Sequence, residues 1–227
     1  ESKMCSTNEL EGTTILVTAG GTQESIDPVR YIGNRSSGKM GYAIAEQAVR
    51  MGAKVILVSA PTSLPIPSGV DFISVDSAVS MQEAVEARYN DVNVVIMAAA
   101  VSDFRVLHKA EQKIKKMESM TIELVKNPDI LQGLGSKKNH QILVGFAAET
   151  EHVIKYGQDK VARKNLDMLV ANDVSKSNAG FNVDTNEGYF LYPDKEPKEM
   201  PNMKKSELAR HILREVIDLV ANKADIN

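Results

Sequence analysis

Thr13-Thr14-Ile15-Leu16-Val17-Thr18-Ala19-Gly20-Gly21-Thr22 decides the fold: a β-branched apolar run breaks off at a pair of glycines. Valine, isoleucine and threonine favour strands, and glycines take turns closed to other residues, so this is a strand entering a turn. Outward from it, short apolar runs alternate with amphipathic stretches. Gly41–Met51 carries Ile44, Ala45, Ala48 and Val49 at helical spacing and stops at Gly52. Lys54–Ser59 reads as the second strand, and Pro61, Pro65 and Pro67 keep the next segment a loop. Asp71–Val75 is a third strand, Met81–Tyr89 a helix capped by Ser80, and Val92–Ala99 an apolar run of the buried parallel type. From Phe104 to Met120 the apolar pattern fades and lysines dominate, which reads as loop.

Pro128 suits the first turn of a helix running to about Leu134. Gln141–Ala147 and Asp167–Ala171 are buried strands with a helix from His152 to Lys164 between them. Asn186–Tyr192 reads as an edge strand or hairpin arm, and Met203–Ala221 as a closing helix striped by Leu208, Ile212, Val216, Ile217 and Val220. Strand–helix alternation of this kind predicts an α/β, Rossmann-like, doubly wound, mostly parallel sheet flanked by helices, with a small appended β hairpin. The expected division is a linker or cloning remnant over 1–11 and a single domain over 12–224. Ligands in such sheets bind beyond the carboxyl ends of the strands, which points to the loops after Thr18, Ala99 and Ala147.

Composition narrows the class. Across 227 residues, 27 basic against 30 acidic side chains give a net charge of −3, which argues against holding nucleic acid by bulk charge. Hydrophobic residues at 43% and charged residues at 25% describe a globular chain, not a disordered one. The single cysteine, Cys5, excludes an internal disulfide and fits a reducing, cytoplasmic compartment. No apolar run is long enough for a membrane span, and the polar N-terminus does not read as a signal peptide.

Several segments could carry chemistry. Asn34-Arg35-Ser36-Ser37-Gly38-Lys39-Met40-Gly41 sets hydroxyls and glycines ahead of a helix, a ready phosphate site; a plain serine cap explains it as well. It lacks the Walker A order, and the turn at Gly20 and Gly21 lacks the G-x-G-x-x-G spacing. Ala98-Ala99-Ala100-Val101-Ser102-Asp103-Phe104 offers room for a flat ring, with Asp103 at the pocket mouth or simply capping a helix. Lys109, Lys113, Lys115 and Lys116 form a solvated face or a loop that meets polyphosphate. Asp129 suits a helix N-terminus, and Phe146 is either core or a stacking surface. Tyr156-Gly157-Gln158-Asp159-Lys160 matches the Tyr-x-x-x-Lys pair of short-chain dehydrogenases, so an NAD(P)-dependent oxidoreductase is the alternative. The serine expected a dozen residues earlier is missing. A non-catalytic nucleotide-binding regulator is a third reading. His108, His140, His152 and His211 are too scattered for a metal site, so no protein metal ligand is expected.

Taken in order, the segments closely resemble bacterial phosphopantothenate–cysteine ligases, from about Leu10 to Val220. They are Asp27-Pro28-Val29-Arg30-Tyr31-Ile32 running on to Asn34 and Ser36-Ser37-Gly38-Lys39-Met40-Gly41, Ala99-Ala100-Val101-Ser102-Asp103-Phe104-Arg105, Lys113-Ile114-Lys115-Lys116, Lys126-Asn127-Pro128-Asp129-Ile130-Leu131, Gly145-Phe146-Ala147-Ala148-Glu149-Thr150 and Ala171-Asn172-Asp173-Val174. The resemblance implies CTP-dependent joining of 4′-phosphopantothenate to L-cysteine through an acyl-cytidylate, with Mg²⁺ on the triphosphate. It implies triphosphate contacts at Ser36, Gly38 and Gly41. Lys113, Lys160 and Lys164 are implied as nucleotide contacts, with Lys113 covering the intermediate. Met97, Ala98, Ala99, Asp103, Pro128, Asp129, Ile130, Leu131 and Phe146 are implied around base and ribose. Asn34 would position the acyl-cytidylate for the amine, and Arg30 and Ala99 would meet phosphopantothenate. It also implies a homodimer, with the hairpin near Tyr189–Tyr192 as a candidate interface, and in many bacteria a flavin-dependent decarboxylase domain N-terminal to the ligase.

Overall fold

β1, Thr14–Ala19, runs through the middle of the sheet and is the strand the rest is built around. The structure, a computed structural model, describes residues 7–149, 151–173 and 185–224. The remaining elements are β2 (Gln23–Ser25), β3 (Tyr31–Gly33), α1 (Lys39–Arg50), β4 (Lys54–Ser59), β5 (Val70–Ser74), α2 (Ala78–Glu86), β6 (Val94–Met97), β7 (Phe104–Val106), β8 (Leu124–Lys126), α3 (Ile130–Ser136), β9 (Ile142–Glu149), α4 (Val153–Arg163), β10 (Met168–Asp173), β11 (Thr185–Leu191), β12 (Lys198–Lys204) and α5 (Lys205–Ala224). The main sheet has the order β12-β11-β10-β9-β6-β1-β4-β5. From β5 to β10 neighbours are parallel, and β11 and β12 add an antiparallel hairpin arm. This is the expected doubly wound sheet with its appended hairpin, and the chain order reverses between β1 and β6.

Strand alternation sorts the core into two layers. Ile15, Val17, Val55, Leu57, Ile96 and Val144 face α1 and α5 on one side. Leu16, Ile56, Val58, Val95, Leu143 and Leu169 face Met81 of α2, Leu134 of α3 and Val161 of α4 on the other. The last helix closes the first layer with Leu208, Ile212, Leu213 and Val216, all fully buried. It is tied to the hairpin arm by Glu215, which accepts from the Tyr192 hydroxyl at 2.6 Å and pairs with Lys198.

Local details differ from the sequence expectations. α1 starts at Lys39, two residues before Gly41. α2 is capped by Ser77 and not by Ser80; Ser80 supplies the return bond of a capping box. Pro128 lies ahead of α3, whose cap is Asp129, accepting from the Gln132 N–H. The lysine-rich stretch is not loop throughout, because Phe104–Val106 pairs with Leu124–Lys126. β12 went unexpected because Pro201 breaks its pattern, an edge position being the one place a sheet tolerates proline. Residues 7–11 are no free linker: the Leu10 N–H donates to the Met51 carbonyl at 2.8 Å, and the Leu10 side chain is 2% exposed. Cys5 and the 174–184 segment lie outside the described residues. No helix is long and apolar enough to cross a membrane among the described residues.

Candidate functional site

The loops leaving β1 and β6 meet at the switch point and are stitched together. The Gly20 carbonyl accepts from the Ala100 N–H at 2.8 Å, and the Ala100 carbonyl from the Thr22 N–H at 3.1 Å. Buried hydroxyls complete the seam. Thr18 Oγ1 accepts from the Ala99 N–H at 3.1 Å, and Thr22 Oγ1 from the Ser102 N–H at 2.9 Å. Asn127 Nδ2 donates to the Ser102 carbonyl at 2.8 Å. The 99–103 loop is therefore rigid before any ligand arrives.

α1 aims its N-terminus at the same place. Gly38 sits at φ 76, and a Cβ there would lie 2.6 Å from Thr62 Cγ2, so both conformation and space demand glycine. No side chain caps the helix, and Ser36 Oγ lies 3.4 Å from the Gly38 N–H. First-turn amides have no partner four residues back within a helix, and together with the helix dipole they make this a place for an anion.

Two cavities share a wall here. The larger, about 360 Å³, is lined by Asn34, Ser36, Gly38, Ala98, Ala99, Asp103, Phe146 and Lys160. The smaller, about 230 Å³, shares Ala99, Asp103 and Phe146 and adds Met97, Pro128, Asp129, Ile130, Leu131 and Lys164. A third space of about 430 Å³ lies against Asn34, Ser36, Tyr31 and Thr62. Asn34 bridges the walls, its Nδ2 donating to the Ala100 carbonyl at 3.1 Å. In the smaller cavity Lys164 pairs with Asp129 at 2.9 Å. Burial pushes the Asp129 carboxyl up, but the bonds from Lys164 and the Gln132 N–H outweigh it and hold it below its ordinary value.

Gly41 sits in the first turn of α1 and also lets the helix pack closely: a Cβ there would lie 2.6 Å from the Ala19 Cβ and 2.8 Å from the Thr18 carbonyl. Some candidates stand elsewhere. Arg30 and Lys113 line a separate cavity of about 390 Å³ with Ile114, Lys115 and Lys116, apart from the nucleotide-sized pair. Tyr156 is 44% exposed and meets His152 edge-on, while Lys160 lines the larger cavity, so the dehydrogenase pair is split. Three wall residues had no role expected of them: Asn172, Asn186 and Lys205. Asn172 lies in a quoted motif; Asn186, buried in a strand and 3.3 Å from Asn172, is a polar group out of place, the one signal available. Among the described residues no cluster of three or more His, Cys, Asp or Glu could hold a metal.

A doubly wound α/β sheet with an uncapped helix end and paired cavities at its switch point defines a Rossmann-like domain of the nucleotide-binding architecture. The chain belongs to the family described as DNA/pantothenate metabolism flavoprotein C-terminal domain, whose profile matches residues 10–220. It is 49% identical over 212 residues to the coenzyme A biosynthesis bifunctional protein CoaBC of Bacillus subtilis, covering 92% of this chain and 52% of that protein. To the Escherichia coli (strain K12) protein of the same name it is 46% identical over 215 residues, covering 92% and 53%. The chain thus spans about half the length of these relatives. The crystal structure of the C-terminal domain of a CoaBC protein superposes with a TM-score of 0.83 at 44% identity, covering 95% of this chain and all of that one. A DNA/pantothenate metabolism flavoprotein from Streptococcus pneumoniae, 23% identical with a TM-score of 0.77 over 90% of this chain and 98% of that one, shares the fold.

Proposed function

We propose that the chain is a CTP-dependent phosphopantothenate–cysteine ligase of coenzyme A biosynthesis. The paired cavities beside the uncapped start of α1 carry this reading. The smaller takes the base and ribose, and the larger takes the phosphates against Ser36 and the Gly38 turn, with Lys160 adding charge. The acid's carboxylate oxygen attacks the α-phosphorus and pyrophosphate leaves. The cysteine amine then attacks the acyl carbon, an amide forms, and CMP leaves with the electron pair of the broken acyl–oxygen bond. Asn34 holds the mixed anhydride for the second step, since its amide both donates and accepts. Arg30 takes the phosphate of phosphopantothenate, and Lys113 beside it meets the activated acid from that side. Mg²⁺ would ride on the triphosphate and water, offsetting charge on the leaving group.

The full-length protein would carry a flavin-dependent decarboxylase domain ahead of this one and work in the cytoplasm as a homodimer. The hairpin near Tyr189–Tyr192 is a poor interface, since Phe190 and Tyr192 are buried within the subunit. Exposed apolar side chains gather instead on the two small hairpins: Tyr31, Phe104, Leu107 and Leu124 are each 41–55% exposed, and a second copy would cover them.

The test is pyrophosphate release with 4′-phosphopantothenate, Mg²⁺ and each nucleoside triphosphate, with and without cysteine. Release with CTP but not ATP, and amide only with cysteine, is the expected result. No release with any triphosphate removes the ligase reading.

A further inference from the structure

Asp27 does more than its turn requires. It lies in the tight connection between β2 and β3, and its charged side chain is completely covered. Oδ1 accepts from the Val29 and Arg30 N–H groups, both at 2.9 Å, which closes an Asx-type turn. Oδ2 is spent elsewhere. It accepts from Arg30 Nε at 3.0 Å, from Arg30 Nη2 at 2.5 Å and from the Ile114 N–H at 3.1 Å. Arg30 Nη2 donates again to the Ile114 carbonyl at 3.2 Å. Both backbone groups of Ile114 are therefore held, one by each member of the ion pair, across 87 and 84 residues of chain. A second tie runs from the Ala110 N–H to the Ile26 carbonyl at 2.9 Å.

Ile114 stands between Lys113 and Lys115, so fixing its backbone fixes theirs. Arg30, Lys113, Lys115 and Lys116 consequently line one cavity. None of these lysines is ion-paired among the described residues. Left alone, cations so close repel one another and the segment would spread into solvent. A buried carboxylate is itself costly unless paired and hydrogen-bonded. An asparagine could keep the Oδ1 bonds of the turn, so the charge is needed for the grip on Arg30 and Ile114.

We propose that Asp27 is a positioning residue that locks the Arg30 guanidinium and the Lys113–Lys116 segment into one cationic unit, which receives the phosphate monoester of the acid substrate. This rests on the ligase reading above. With Nε and Nη2 of Arg30 spent on Asp27 and Ile114, Nη1 is the donor left to reach a phosphate oxygen, and lysines without a carboxylate partner among the described residues supply compact charge beside it. The hairpin and the lysine segment then act as a single body.

Trypsin cuts after lysine, so the lock can be read without turnover. Full-length chain carrying Asp27→Asn is compared with wild type by limited tryptic digestion mapped by mass spectrometry, and by KM for phosphopantothenate and for CTP. Losing a charge-assisted bond predicts cleavage after Lys113, Lys115 and Lys116 about tenfold faster, KM for phosphopantothenate up about tenfold, and KM for CTP within about threefold. Arg30→Lys keeps the charge, loses the fork and shifts both readouts the same way; it serves if Asp27→Asn fails to fold by circular dichroism. A wild-type cleavage pattern, or both KM values rising together, overturns the proposal. If wild type releases no pyrophosphate with any triphosphate, the ligase reading and the phosphate assignment fall together, while the digestion still decides whether Asp27 locks the segment.

Discussion

Asn34 stands where two of the cavities meet, and its amide nitrogen already donates to the Ala100 carbonyl. Replacing it with aspartate removes the donor and sets a carboxylate against a carbonyl, at the point where an amine must approach a mixed anhydride. Asn34→Asp is expected to retain pyrophosphate release while amide formation falls about 100-fold, the order seen when one donor at a reacting centre is lost; quenched-flow separation of the two steps checks it, and normal amide formation removes Asn34 from the chemistry. Hydroxyls and glycine before a helix make Ser36 and Gly38 candidates in the sequence, where a serine cap is the competing reading, and Asn34 comes forward only through the resemblance to the ligases. Thr18, Thr22 and Asn127 leave no such trace. Their partners Ala99 and Ser102 come from loops far along the chain, and nothing local marks a threonine that will meet an N–H 80 residues away. Gly41 has a second demand that the sequence does not show, since a Cβ there would collide with β1 and the helix could not approach the strand.

Among the elements, α5 depends on one polar clasp. Tyr192, Glu215 and Lys198 tie the helix to the hairpin arm. Burial alone would raise the Glu215 carboxyl, but the bonds from Lys198 and Tyr192 hold it below its ordinary value, and burial beside Glu215 pushes the Tyr192 phenol well up. A depressed carboxyl stabilises the fold fully above its unfolded value and loses that contribution as pH falls through the folded one. Tyr192→Phe is therefore expected to lower stability by about 1–2 kcal/mol at neutral pH, with the deficit shrinking in acid once Glu215 is protonated; urea melts across pH 7 to 3 measure it, and a pH-independent deficit would dissolve the clasp. Element legibility follows the unbroken apolar run, which is why β12, seven residues long but interrupted by Pro201, goes unseen. Six-residue strands such as β1 and β4 announce themselves by unbroken apolar runs, whereas β2, β3, β7 and β8 are three residues each, too short for any period.

For the whole molecule, the sheet order follows from general rules once the alternation is seen, since parallel crossovers are right-handed and neighbours in sequence tend to be neighbours in space. What the rules do not supply is the outer surface. A dimer closing over the small hairpins predicts that the double variant Phe104→Glu, Leu124→Glu sediments as a monomer with an unaltered melting profile of the subunit; a dimer unaffected by both changes moves the interface elsewhere. The order of the strands also bears on birth of the chain. β1 finds β4 quickly, but its other neighbour is β6, where Thr18 meets Met97, 79 residues on. At ribosomal rates of about 5–20 residues per second, the inner edge of the first strand waits several seconds for its partner. During that interval a bare, apolar strand edge faces solvent, the kind of surface other chains pair with. The buried apolar layer under α1 waits longer still, until Leu208 to Val216 emerge, so one face of the nascent sheet stays uncovered until its last helix is made.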